Sequence, residues 1–188
     1  HGPAQVVAYP IFSIERCDGD VKQLVWRLEE SIIDALRAHG LEATRREGLP
    51  GVWVDPAGAS PRKIASVGLR LSRGVTFHGI AINVACDMEP FTWFTPCGIP
   101  DAVMTSLVRE LGRENDDPAL LEQLVRSVEA RVAEAIATRF ADGVTTPITV
   151  AELHAAAAAH PVEEPALTLP GEPRANRATR IDLAGAGT

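Results

Sequence analysis

Three cysteines in 188 residues, Cys17, Cys86 and Cys97, are too few and too irregularly spaced for a disulfide framework or a CxxC metal knuckle. An odd set of thiols of this kind suits a reducing, cytoplasmic setting. No apolar run approaches the roughly 20 residues needed to span a membrane, and nothing at the start reads as a signal peptide. The sequence also lacks an HExxH pair, a P-loop, a GxSxG elbow and a dinucleotide-binding glycine fingerprint. No metal or cofactor is expected. A net charge of −7 and a pI near 5.2 set nucleic acid aside as a partner. An initiator Met is missing too: the chain opens on His1-Gly2-Pro3, as expected of a fragment or of a chain whose earlier residues were removed.

What is present is an apolar content of 46%, enough to bury the core of one domain with an appendage. Residues 5–11 read as a strand. Asp20 is placed to cap a helix whose Val21, Leu24, Val25, Leu28, Ile32 and Leu36 form one buried face, with Gly40 as its stop and Trp26 counted with the core. Two longer strands, residues 63–71 and 75–84, join across Arg73-Gly74, with Val67, Leu69 and Leu71 on one face and Ile80, Ile82 and Val84 on another. Gly68 and Gly79 interrupt these strands, and paired strand glycines suggest a groove where a ligand approaches backbone. Residues 101–111 read as a short helix stopped at Gly112. Asp117-Pro118 opens a longer one with Leu121, Leu124, Val125, Val128, Val132 and Ile136 on its inner face. Six basic residues, Arg45, Arg46, Arg62, Lys63, Arg70 and Arg73, stand against Glu47 and Asp55 in the same stretch, an expected basic face on an acidic protein.

Cys97 lies in a Pro96-Cys97-Gly98-Ile99 turn, and the following residues are expected to enter a helix whose N-terminal amides favour a thiolate. Lys63 follows a Gly/Pro loop and opens a strand, where an ammonium can face a groove and shift a neighbouring thiol toward its reactive form. A free cysteine is more often an inert small hydrophobe, so the pair carries more weight than either residue. His78, in mid-strand, reads either as a packed histidine or as a groove residue that acts as a base.

Four blocks then stand in order over about residues 1 to 112: His1-Gly2-Pro3-Ala4-Gln5, Arg62-Lys63-Ile64-Ala65-Ser66-Val67-Gly68, His78-Gly79-Ile80-Ala81-Ile82-Asn83, and Pro96-Cys97-Gly98-Ile99 with Thr105-Ser106-Leu107. Together they resemble the lipoyl(octanoyl) transferases. The resemblance implies an α/β (α+β) fold, a mixed sheet flanked by helices, like that of the lipoate- and biotin-protein ligase catalytic domain. It implies that octanoate passes from octanoyl-acyl carrier protein to a thioester on Cys97. From there it passes to a lysine of lipoyl domains in 2-oxoacid dehydrogenase and glycine cleavage proteins. Lys63 would lower the pKa of Cys97, and His1, Ser66, Val67, Gly68, Gly79, Ile80 and Ala81 would line the acyl site. Neither nucleic acid nor membrane enters this scheme.

Two departures carry expectations of their own. The family pattern HGPGQ has glycine where Ala4 stands, and a left-handed backbone there would cost alanine about 1 kcal/mol. Family members also carry a preceding segment with an Arg-Gly-Gly loop. The chain is therefore expected to hold an N-terminally incomplete catalytic domain over residues 1–145, and a C-terminal extension over 146–188, largely disordered from about 161. Two other readings fit parts of the pattern. One is an ATP-dependent lipoate- or biotin-protein ligase-like enzyme, which would need no nucleophilic cysteine. The other is a degenerate, non-catalytic module that binds acyl chains or lipoyl domains.

Overall fold

The computed structural model describes residues 1–17, 19–93, 102–140, 148–159 and 179–180. The strands are β1 (Gln5–Ala8), β2 (Thr44–Arg46), β3 (Leu49–Val54), β4 (Arg62–Ser72), β5 (Val75–Asn83), β6 (Val103–Met104) and β7 (Thr179–Arg180). The helices are α1 (Val21–Ala38), α2 (Leu107–Glu110), α3 (Pro118–Phe140) and α4 (Val150–Ala159). The sheet runs β1-β5-β4-β3-β2 with antiparallel neighbours, and β6 adds a parallel pairing beside Arg62 and Lys63. This is the mixed sheet with flanking helices that the sequence implied.

Local chemistry accounts for the frame. The Asp20 carboxylate accepts from the Lys22 and Gln23 amides, a cap of about 1 kcal/mol. Gly40 follows the last turn of α1 with φ +85°, where a side chain would be strained. Between β4 and β5, Arg73 and Gly74 both have positive φ, the two-residue turn whose twist matches a hairpin. Leu24, Leu28, Ile32 and Leu36 of α1 and Leu124, Val128 and Val132 of α3 bury against Val52, Ile64, Ala65, Leu69, Ile80, Ile82 and Val84. One face of the sheet is thus the core.

Three expectations are corrected. Residues 101–111 do not form one helix: Val103 and Met104 pair with Arg62 and Lys63, and only the single turn of α2 follows, stopped by Gly112 at φ +64°. The strand expected over residues 5–11 ends at Ala8, just before Pro10, which has no N–H to offer the ladder. Trp26 is not core. It is 52% exposed, and the Arg45 guanidinium stacks over its ring at 4.4 Å. Within the C-terminal extension, β7 pairs with Arg70 and Leu71 where β3 no longer accompanies β4; the other residues from 160 onward, expected to be largely disordered, lie outside the described set.

Ala4 has φ +59°, the left-handed conformation in which alanine is strained. Its carbonyl accepts from the Ala85 amide, so the turn is tied to the end of β5. Ala4→Gly is expected to raise stability by about 0.5–1 kcal/mol in urea unfolding, with an unchanged denaturant slope.

Candidate active site

The ladder between β3 and β4 carries one irregularity. Val52 pairs with Ala65 and Trp53 with Lys63, so a single step along β3 matches two along β4, and Ile64 is the extra residue. A bulge of this kind resets the alternation of side chains. Strict period-two spacing from Ala65 would turn Lys63 toward the core. With Ile64 inserted, Ile64 and Ala65 both join the core, and Lys63 shares the opposite face with Trp53. Lys63 is only 2% exposed, and its ammonium lies 5.4 Å from the centre of the Trp53 ring.

Farther along that face, Ser66, Gly68 and Arg70 of β4 and Gly79 and Ala81 of β5, with His1, Tyr9, Leu69, His78 and Ile80, border an open groove of about 610 Å³. That volume suits a small organic ligand. A Cβ added at Gly68 would meet nothing within 4 Å, so this glycine leaves the groove floor open. Its registered partner Gly79 has another cause: a Cβ there would come 2.1 Å from the Ala8 carbonyl oxygen and 2.7 Å from Pro10. Gly79 is glycine because β1 crosses closely.

The residues singled out in the sequence therefore divide. His1, Ser66, Gly68, Gly79, Ile80 and Ala81 border one groove. Val67 packs against the core and lies outside the lining. Lys63 is also outside the lining, buried on the same face beyond its Ser66 end. Cys97 is outside the described residues, as are all of residues 94–101. The chain re-enters at Ala102 and runs at once into β6, beside Lys63, with the Thr105 amide donating to the Lys63 carbonyl at 3.0 Å. The helix expected just after Cys97 is thus replaced by a strand, and the helix-dipole argument for a thiolate falls away.

Sequence reasoning missed Tyr9, Arg70 and the form of His78. Tyr9 donates or accepts at 3.2 Å with His1 Nε2 and meets His78 edge-on at 6.2 Å, so the three rings wall one end of the groove. His78 has φ +60° inside β5, which costs a non-glycine residue about 1–3 kcal/mol and leaves Phe77 and His78 both exposed. Its partner on β4 is Leu69, six residues from Lys63, or about 20 Å along a strand. That distance separates His78 from the lysine end and leaves it in the groove wall.

The expected basic face is largely consumed within the fold. Arg45 pairs with Glu29 and Glu30, Arg62 with Glu110, Arg46 covers Trp53, and Lys63 is buried. The Arg62 pair belongs to a chain of contacts around β6. Arg62 donates twice to Glu110, Thr105 donates to the same carboxylate at 2.6 Å, Asn83 donates to the Thr105 carbonyl, and Gln5 donates to Asn83. Hydrogen bonding from Arg62 holds the Glu110 carboxyl below its ordinary range. Cys86 is the reverse case: burial pushes its thiol up to about 11, and Asp87 adds to the shift.

Residues 1–129 match the family model described as the lipoyl protein ligase A/B catalytic domain, and the chain belongs to that family. It is 46% identical over 138 residues to an octanoyltransferase of Nitratidesulfovibrio vulgaris strain DP4, covering 73% of this chain and 59% of that protein. It is 44% identical over 142 residues to an octanoyltransferase of Mycobacterium sp. strain KMS, covering 75% and 58%. The chain spans about three fifths of the length of the curated relatives it matches. A solved biotin protein ligase of Aquifex aeolicus overlaps 73% of this chain and 54% of its own at 19% identity and a TM-score of 0.49. Among the described residues no helix is long and apolar enough to cross a membrane.

A carboxyl whose folded-state pKa is depressed contributes stability above its unfolded value, and that contribution is lost as pH falls through the folded value. Glu110→Gln is therefore expected to cost about 1 kcal/mol at pH 7, with the gap to the unsubstituted protein closing below roughly pH 4. Urea unfolding across pH 3 to 7 measures it, and a gap constant with pH would show that the Arg62 charge pair is not its source.

Proposed function

We propose that the protein carrying this chain transfers octanoyl groups from acyl carrier protein to a lysine of lipoyl domains, through a thioester on Cys97. The observation that carries this reading is the bulge at Ile64. It turns a buried lysine to the groove face of the sheet, beside the strand into which the Cys97 segment runs. The family match and the octanoyltransferase relatives support the same chemistry. The Cys86 thiol, outside any disulfide, fits a cytoplasmic setting.

In the proposed reaction the Cys97 thiolate attacks the thioester carbonyl of the octanoyl-pantetheine arm. The tetrahedral adduct collapses, the carbon–sulfur bond to pantetheine breaks, and pantetheine leaves as a thiolate that takes up a proton from water. One thioester has replaced another, so the step is nearly isoenergetic and needs no ATP. The neutral amine of the lipoyl-domain lysine then attacks the Cys97 thioester, gives up a proton to water, and expels the Cys97 thiolate as the amide forms. The Lys63 cation favours the thiolate in both steps. The groove offers the eight-carbon tail a floor at Gly68 and apolar walls at Leu69 and Ala81.

Transfer from octanoyl-acyl carrier protein to a lipoyl domain is expected without ATP when assayed in the full-length protein, with a gain of one octanoyl group on Cys97 by intact mass. Cys97→Ser is expected to abolish the labile thioester. A requirement for ATP would favour a ligase, and acyl binding without transfer would favour a binding module. Gly68→Leu is expected to lower the acylation rate roughly tenfold while changing stability by no more than about 0.5 kcal/mol, since its side chain enters open groove. Unchanged acylation by a folded Gly68→Leu protein would remove this groove as the acyl site.

A further inference from the structure

Glu29 is a buried carboxyl, 6% exposed, that the proposed chemistry does not use. We infer that Glu29 is a positioning residue for Lys63, acting through Gly51 to keep the lysine chain fixed beside Trp53. The functional part of this inference rests on the acyl-transfer reading; the geometry does not.

The contact runs through one glycine. Glu29 reaches from α1 and accepts the Gly51 amide at 2.8 Å with Oε1, while Oε2 accepts Arg45 Nε at 3.1 Å. Gly51 has φ +118°, outside the range of ordinary strand residues. A Cβ placed on it would lie 2.7 Å from Lys63 Cε, 3.3 Å from Lys63 Nζ and 2.4 Å from the Ala65 carbonyl oxygen. The lysine chain therefore occupies the space that a side chain at position 51 would take. Gly51 thus has the carboxylate on its amide and the lysine against its Cα. Trp53, two residues on, supplies the ring beside the ammonium. Without the Glu29 bond the Gly51 amide would be a buried donor with no acceptor, at a cost of about 1–3 kcal/mol, and the unusual backbone that admits Lys63 would lose its anchor.

Charge points the same way. Burial raises the Glu29 carboxyl above its ordinary range; the Gly51 amide, Arg45 and then the Lys63 ammonium pull it back down. The carboxyl and the ammonium thus attract one another across Gly51. The other charged groups facing this pair are engaged elsewhere. Arg45 also bonds Glu30, Arg46 lies over the Trp53 ring at 5.2 Å, and Arg62 is held by Glu110 with Asp55 acting on it.

Two measurements on the full-length protein separate this role from a structural one. With carbon-13-labelled glutamate, the Glu29 carboxyl is expected to titrate at higher pH in Lys63→Met than in the unsubstituted protein. An unmoved titration would overturn the coupling. Glu29→Gln keeps an acceptor for the Gly51 amide but removes the charge. It is expected to slow octanoylation of Cys97 about tenfold at neutral pH without changing the affinity for octanoyl-acyl carrier protein, and Glu29→Asp is expected to recover part of the rate. A Glu29→Gln protein that acylates at the full rate would overturn the inference. Failure of the acyl-transfer reading looks different: Lys63→Ala would leave octanoylation intact, while the carboxyl titration would still report the pair.

Discussion

Taking a lysine ammonium out of water costs several kcal/mol unless opposite charge or polarisable groups replace the solvent. Lys63, at 2% exposure, is surrounded by such replacements. The Trp53 ring lies beside it, Gly51 makes room for its chain, and Glu29 supplies opposite charge from α1. These features follow from the single extra residue Ile64 in the β3–β4 ladder, which separates the face Lys63 uses from the face the core uses. A β4 without the bulge would drive the lysine into the aliphatic interior of Ile80, Ile82 and Val84.

The same sheet works on both faces. Its inner face, packed by α1 and α3, supplies rigidity; its outer face is a groove floored by the open position at Gly68. At the lysine end, the contacts from Gln5 through Asn83, Thr105 and Glu110 to Arg62 fix β6 against β4. β6, the first strand described after residue 101, is thereby held by hydrogen bonds to the strand bearing Lys63. The far end is walled by the His1, Tyr9 and His78 rings, with His78 held in a strained conformation.

Local and periodic signals made most of the frame legible. The Asp20 cap, the stop at Gly40, the Arg73-Gly74 hairpin and the inner faces of α1, β4 and β5 each depend on a few neighbouring residues. What depended on distant partners was not legible. Trp26 satisfied the helix period, yet Arg45, nineteen residues away, holds it at the surface. Val103 and Met104 carry no strand signal of their own and are strand because β4 offers them backbone partners. The arginines looked free because their acids, Glu29, Glu30 and Glu110, lie far away in sequence. The bulge was invisible for a related reason: Lys63-Ile64-Ala65 shows no break, and only the register against β3 reveals it. Gly68 and Gly79 looked alike as strand glycines, but one borders open space and the other a crossing strand.

The most direct test of the account is the pH dependence of thiol alkylation at the three cysteines, read by peptide mass mapping, in the full-length protein and in its Lys63→Ala variant. Cys17 is fully buried and the Cys86 thiol is pushed up to about 11, so both are expected to react slowly near neutral pH. Cys97 is expected to react fastest, and about tenfold more slowly once Lys63 is removed. Equal rates at the three cysteines, or a Cys97 profile indifferent to Lys63→Ala, would contradict the claim that this buried lysine activates the thiol.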